Sequence, residues 1–88
     1  MAEQRPVIVI TKEDIGKRVR ARRRELDLTQ KALAAKCGFG YQIISGLEHG
    51  RQSVYAERLG IIAQVLGVSA GYLLGLEPKE RGQCGKNE

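Results

Sequence analysis

Apolar residues recur along this chain at helical intervals, and a glycine tends to stand where each run ends. The clearest stripe is Leu59, Ile62, Ala63 and Leu66, spaced at three, four and seven. It predicts an amphipathic helix that begins near Val54 or Tyr55 and stops at Gly67. Further upstream, Leu33, Ala34 and Cys37 share one face behind Thr29, whose hydroxyl can cap a helix, and Gly38 arrives where that face runs out. Gly38-Phe39-Gly40 then predicts a tight corner, with left-handed backbone at Gly38, the Phe39 ring set into the angle, and a new helix opened by Gly40. In that helix Ile44, Leu47 and Glu48 fall on one side and Gln42, Ser45 and Gly46 on the other, which leaves a small, polar outward face. Thr11 followed by Asp14 marks the start of an earlier helix that runs to about Glu25, with Glu13 and Asp14 in its first turn. Its apolar side is thin: Ile15 and Val19 are followed by Arg22 before the face resumes at Leu26. Ser69 caps a short last helix, Ala70 to about Leu74, whose Leu73 and Leu74 close the core while Tyr72 faces outward. The pattern predicts an all-α fold of five helices.

Outside that pattern lie two segments. Residues 1–11 form an N-terminal arm whose Val7-Ile8-Val9-Ile10 run is short, β-branched and best suited to an extended conformation. An apolar edge of this kind needs cover, either from the domain's own helices or from the same strand of a second copy. Residues 77–88, EPKERGQCGKNE, read as a polar, flexible tail beyond the 12–76 domain.

Composition narrows the function classes. Eighty-eight residues allow one small domain and leave no room for a separate ligand domain. A net charge of +5 favours a polyanionic partner. Cys37 and Cys84 stand in unlike settings, so a disulfide is not expected, and Cys37 reads as a small buried hydrophobe. No apolar run is long enough to span a bilayer and no signal peptide opens the chain, which points to the cytoplasm and away from a membrane partner. With one histidine, no glycine-rich phosphate loop and no metal-ligand spacing, no enzyme, metal or cofactor is expected.

The stretch Leu28 to Gly50 resembles the phage-repressor and Cro-like helix-turn-helix domains of the XRE family, and the likeness extends from about Ile15 to Leu74. It rests on Ile15-Gly16, Val19 and Arg23 in the first helix; on Leu28-Thr29-Gln30, Leu33-Ala34 and Gly38; on Ile44 with Glu48-x-Gly50; and on Leu59, Ala63, Leu66-Gly67-Val68-Ser69 and Leu73-Leu74. Arg22 departs from it, since the family usually has leucine there. The resemblance implies a compact five-helix repressor-like domain, a semi-buried ion pair between Arg23 and Glu48, a backbone-contacting role for Gln30, and a homodimer joined through the fifth helix and the end of the fourth.

Reading of double-stranded DNA would then fall to the start of the third helix, because the major groove admits one helix and is read by side chains near its N-terminus. Tyr41, Gln42 and Ser45 are the expected base contacts, with Gln42 suited to adenine N6 and N7, and Arg51 from the following loop adds a cation that the helix itself lacks. Gly46 stands on the same outward face, where a glycine weakens the helix and the backbone is left bare. Phosphate contacts are expected from Thr29, Gln30, His49 and Gln52, although Thr29 can equally be a simple cap and His49 a helix-end residue. The expected function is a sequence-specific transcriptional regulator, of repressor or controller type, on a palindromic operator. The competing reading is an antitoxin-like interaction module that holds a protein partner and binds DNA only secondarily.

Overall fold

The computed structural model describes residues 10–76, and within them the chain folds as five helices: α1 (Lys12–Glu25), α2 (Gln30–Cys37), α3 (Tyr41–Glu48), α4 (Ala56–Leu66) and α5 (Ala70–Leu74). The arm residues Val7, Ile8 and Val9 and the whole 77–88 segment lie outside the described residues; Ile10 is exposed. Three helices begin on a hydroxyl that accepts a backbone N–H three residues on: Thr11 from Asp14, Thr29 from Ala32 and Ser69 from Tyr72. Three end on a left-handed glycine, at Gly38, Gly67 and Gly75. The fourth helix starts slightly later than its apolar pattern suggests, because Tyr55 has extended backbone and serves as its N-cap.

Val19, Leu33, Ile44, Leu47, Ile62, Leu66 and Leu73 meet in one core, each with almost no surface left in water. Leu28, Phe39, Val54 and Val65 pack around them, and so does Tyr72, which is half-buried against the core instead of facing outward. Its ring has an apolar body and a polar tip, so it can lie against the core while its hydroxyl stays near water.

The thin apolar face of α1 is completed in two other ways. Gly16 lets α1 cross α3 so closely that a Cβ there would collide with the carbonyl oxygen of Leu47. Arg22 supplies the rest: its Nε donates to the carbonyl of Leu66 at 2.9 Å, at the C-terminus of α4, while its Nη1 pairs with Glu25. Arg18, one turn earlier, lays its guanidinium beside Gly75 at the end of α5. Two cations thus sit where helix C-termini expose unpaired carbonyls and partial negative charge. The basic run of α1 is therefore partly structural.

Candidate nucleic-acid interface

The back of α3 is fixed to both neighbouring helices. Ile44 and Leu47 are buried in the core, and Glu48 at its last turn accepts a forked pair of bonds from Arg23, from Nε at 2.6 Å and from Nη2 at 2.9 Å. Only 1% of the Glu48 side chain is exposed. The third guanidinium nitrogen of Arg23 donates to the carbonyl of Leu28 at 2.7 Å, so one side chain ties α1 to α3 and to the entrance of α2. The Glu48 carboxylate raises the Arg23 pKa from its ordinary value, and burial partly opposes that shift.

Gln30 sits within this same cluster. Its Nε2 donates to Glu48 Oε1 at 3.0 Å, so a residue picked out for phosphate contact spends one of its two amide N–H donors inside the fold. One carboxylate collects hydrogen bonds from α1 and α2, and the angle between α2 and α3 is set there and at the corner, where Phe39 N–H donates to the Ala34 carbonyl.

The front of α3 is open at its start. Tyr41 is 43% exposed, Gln42 is exposed, and Gly40 provides an N-cap without a side chain, leaving the first amides of the helix accessible. Gln42 Oε1 lies over Gly40. The Lys31 ammonium stands 5.8 Å from the centre of the Tyr41 ring, which brings a cation to the mouth of the corner. Lys31 was not among the residues singled out from sequence; its position one residue inside a helix whose start faces the same way as Tyr41 is the signal that points to it. Thr29 is occupied as the cap of α2.

Farther along the face the arrangement changes. Ser45 is half-buried, and its carbonyl accepts a hydrogen bond from His49 Nδ1 at 2.8 Å. That bond requires the proton on Nδ1, so the neutral ring turns Nε2 outward as an acceptor, and only the imidazolium can donate to a phosphate. Gly46 is buried, contrary to the exposed position its helical register predicts, because the Gln52 side chain lies across it. Periodicity assigns a face within one helix; it carries no information about a loop that folds back over that face. Arg51 is exposed, next to Gln52.

Glu13, Lys17 and Arg20 on α1 border a groove of about 270 Å³ that is closed on its other side by Glu48, His49 and Gly50. Its lining mixes cations with carboxylates. Among the described residues no cluster of three or more His, Cys, Asp or Glu side chains is placed to hold a metal. Half-buried Cys37 has its thiol pKa raised by burial, which keeps it protonated and poorly nucleophilic. No helix among the described residues is long and apolar enough to cross a membrane.

This arrangement has counterparts. The model of the helix-turn-helix family matches residues 19–73. An uncharacterized transcriptional regulator in the ATPase CF(0) region of Rhodospirillum rubrum is 43% identical over 58 residues, covering 66% of this chain and 54% of that protein. This chain therefore spans about half the length of that relative. Among solved structures, the P22 c2 repressor in complex with a synthetic operator aligns with 33% identity and a TM-score of 0.68 over 72% of this chain and 96% of the repressor. SinR, a master regulator for biofilm formation, in complex with DNA, aligns with 31% identity and a TM-score of 0.66 over 68% and 97% of the two chains.

Proposed function

The chain belongs to the XRE-type helix-turn-helix family, a family of DNA-binding transcription regulators and not of enzymes, and on that premise we propose that it regulates transcription as a homodimer on a palindromic operator. The 12–76 unit is the DNA-binding domain in this reading, and α3 enters the major groove with its N-terminal end toward the bases. The observation that carries the reading is the asymmetry of α3: Ile44, Leu47 and Glu48 hold its back, while Tyr41 and Gln42 stand exposed at its start. A reading helix needs both properties, since side chains that discriminate bases must be presented from a support that does not yield. The P22 repressor and SinR, with which this fold aligns, were solved with operator and with DNA.

Gln42 is assigned to an adenine edge, Tyr41 to a thymine methyl or a phosphate, and Ser45 to a lesser contact beside them. Because α3 has no Arg or Lys, Arg51 from the loop is the cation nearest to the groove edge in sequence. Thr29, Gln30 and Lys31 flank the N-terminus of α2, where backbone N–H groups favour an anion. One such domain covers little DNA, so two copies on half-sites about one helical turn apart supply the affinity. The exposed Ile61 on α4 and Leu76 after α5 support those elements as the surface between the copies. A DNA target also places the chain in the cytoplasm.

The test is fluorescence anisotropy of a labelled duplex from upstream of the chain's own gene against a scrambled duplex, at two salt concentrations. A preference of about a thousandfold or more is expected for an operator binder. Equal and steeply salt-sensitive binding to both duplexes reflects phosphate attraction alone. That result would sink the autoregulatory operator reading and favour the interaction-module alternative.

A further inference from the structure

We propose that Gln52, delivered by the α3–α4 loop, is a base-reading residue whose side chain takes the place on the α3 surface that Gly46 leaves empty. The inference rests on the operator-binding reading and names a specificity residue within it. Its origin is the way α3 ends. Arg51 N–H donates to the Gly46 carbonyl at 2.9 Å, Gly50 N–H donates to the Leu47 carbonyl at 3.1 Å, and Gly50 has φ of 72°. This nested pair of bonds around a left-handed glycine turns the chain sharply back along the helix it has just left. Gln52 is the next residue, and the reversal sets its stem against Gly46.

The fit is close. A Cβ on Gly46 would stand 2.6 Å from Gln52 Nε2, 2.8 Å from Cδ and 3.0 Å from Cγ. Any other residue at position 46 would displace the glutamine, and glycine there accounts for both the burial of position 46 and the exposure of Gln52. The carboxamide crosses the helix surface one turn beyond Gln42, because positions 42 and 46 are successive on one face. No hydrogen bond among the described residues engages it. The α3 surface thus presents two carboxamides in line, one from the helix and one from the loop. A carboxamide carries a donor and an acceptor in the geometry of adenine N6 and N7. A purely space-filling residue over a glycine would be served by an apolar side chain, which would also avoid leaving an amide exposed and unpaired.

The experiment is selection of bound sequences from a randomised duplex library by the full chain and by its Gln52→Ala, Gly46→Ala and doubly substituted variants. The unaltered chain is expected to enrich a two-fold symmetric motif. Gln52→Ala is expected to lose discrimination by about tenfold at one symmetry-related pair of positions and to keep the rest. Gly46→Ala retains Gln52 but pushes it off the helix, so it should lose the same positions, and the double variant should lose no more than either single. The alanine meets only a flexible side chain, and it improves the helix; an undiminished melting temperature shows that its effect is not unfolding. An unchanged motif with Gln52→Ala overturns the proposal, and so does uniform weakening on all sequences with a shallower salt dependence, the behaviour of a phosphate contact. A motif altered by Gln52→Ala but not by Gly46→Ala overturns the packing that places it. Failure of the unaltered chain to enrich any motif is the distinct result that defeats operator reading itself, and this inference with it.

Discussion

Replacing Arg23 by methionine removes two of the three hydrogen-bond donors that hold the Glu48 carboxylate and leaves that anion out of water with Gln30 alone. Stranding a buried charge costs about 3–5 kcal/mol. Losing the bond from Nη1 to the Leu28 carbonyl adds about 1 kcal/mol. A small domain has about 5–15 kcal/mol in all, so Arg23→Met is expected to remove roughly a third of the stability or more. Changing the pair together, Arg23→Met with Glu48→Leu, removes both charges, and apolar replacement of a buried pair is often close to neutral. The double variant should therefore recover most of the loss, with a coupling energy of about 2 kcal/mol or more. Urea denaturation followed by circular dichroism is the assay, because guanidinium chloride would screen the interaction in question. Since the Arg23 pKa is raised, the stability it contributes is fully present below the ordinary arginine range and is lost only when pH climbs through the raised value. The arginine side of the clamp is thus insensitive to pH wherever the domain would normally be handled. An Arg23→Met variant that loses less than about 1 kcal/mol, or a double variant whose loss equals the sum of the two singles, would refute the reasoning.

Gly16→Ala places a methyl against the Leu47 carbonyl, and backbone cannot swing aside as a side chain can. Overpacking of this kind costs about 1–3 kcal/mol or more, against a gain of about 1 kcal/mol in helix propensity; a urea midpoint that rises instead of falling would show that α1 and α3 can separate freely. Arg22→Ala leaves the Leu66 carbonyl without its donor, and because Arg22 is partly solvated the expected loss is about 1 kcal/mol. Arg22→Lys should restore only part of it, and equal stability of the three proteins would mean that water replaces the guanidinium at no cost.

The helices were legible because each is bounded by local chemistry. Thr11, Thr29 and Ser69 can cap in any context, and Gly38 and Gly67 mark ends that their neighbours cannot adopt without strain. The core stripe of α4 follows from spacing alone. The Arg23–Glu48 pair joins residues 25 apart in sequence, and composition or periodicity could not have paired them; the family resemblance suggested it. What remained hidden depends on groups that meet from different elements. Its place on the apolar face of α1 set Arg22 apart from the other arginines, but nothing in the sequence showed that it would reach the Leu66 carbonyl at the end of α4. Gln30 has the same side chain whether it faces phosphate or Glu48. Gly46 looks like a bare spot on a helix until the loop that covers it is in place.

The Glu48 cluster also separates two kinds of change the domain can undergo. The buried hold on α3 comes from its rear: two aliphatic side chains, the close backbone approach of Gly16 to Leu47, and one carboxylate bonded to Arg23 and Gln30. Tyr41 and Gln42 take no part in that rear packing and stand exposed on the other side. Their identities can be exchanged without disturbing the foundation, so the chain is a natural frame for grafting: in the proposed complex, a new pair of side chains at the head of α3 is expected to be presented at the same angle as the old one. Changes behind the helix have the opposite character, since they would tilt every outward residue at once.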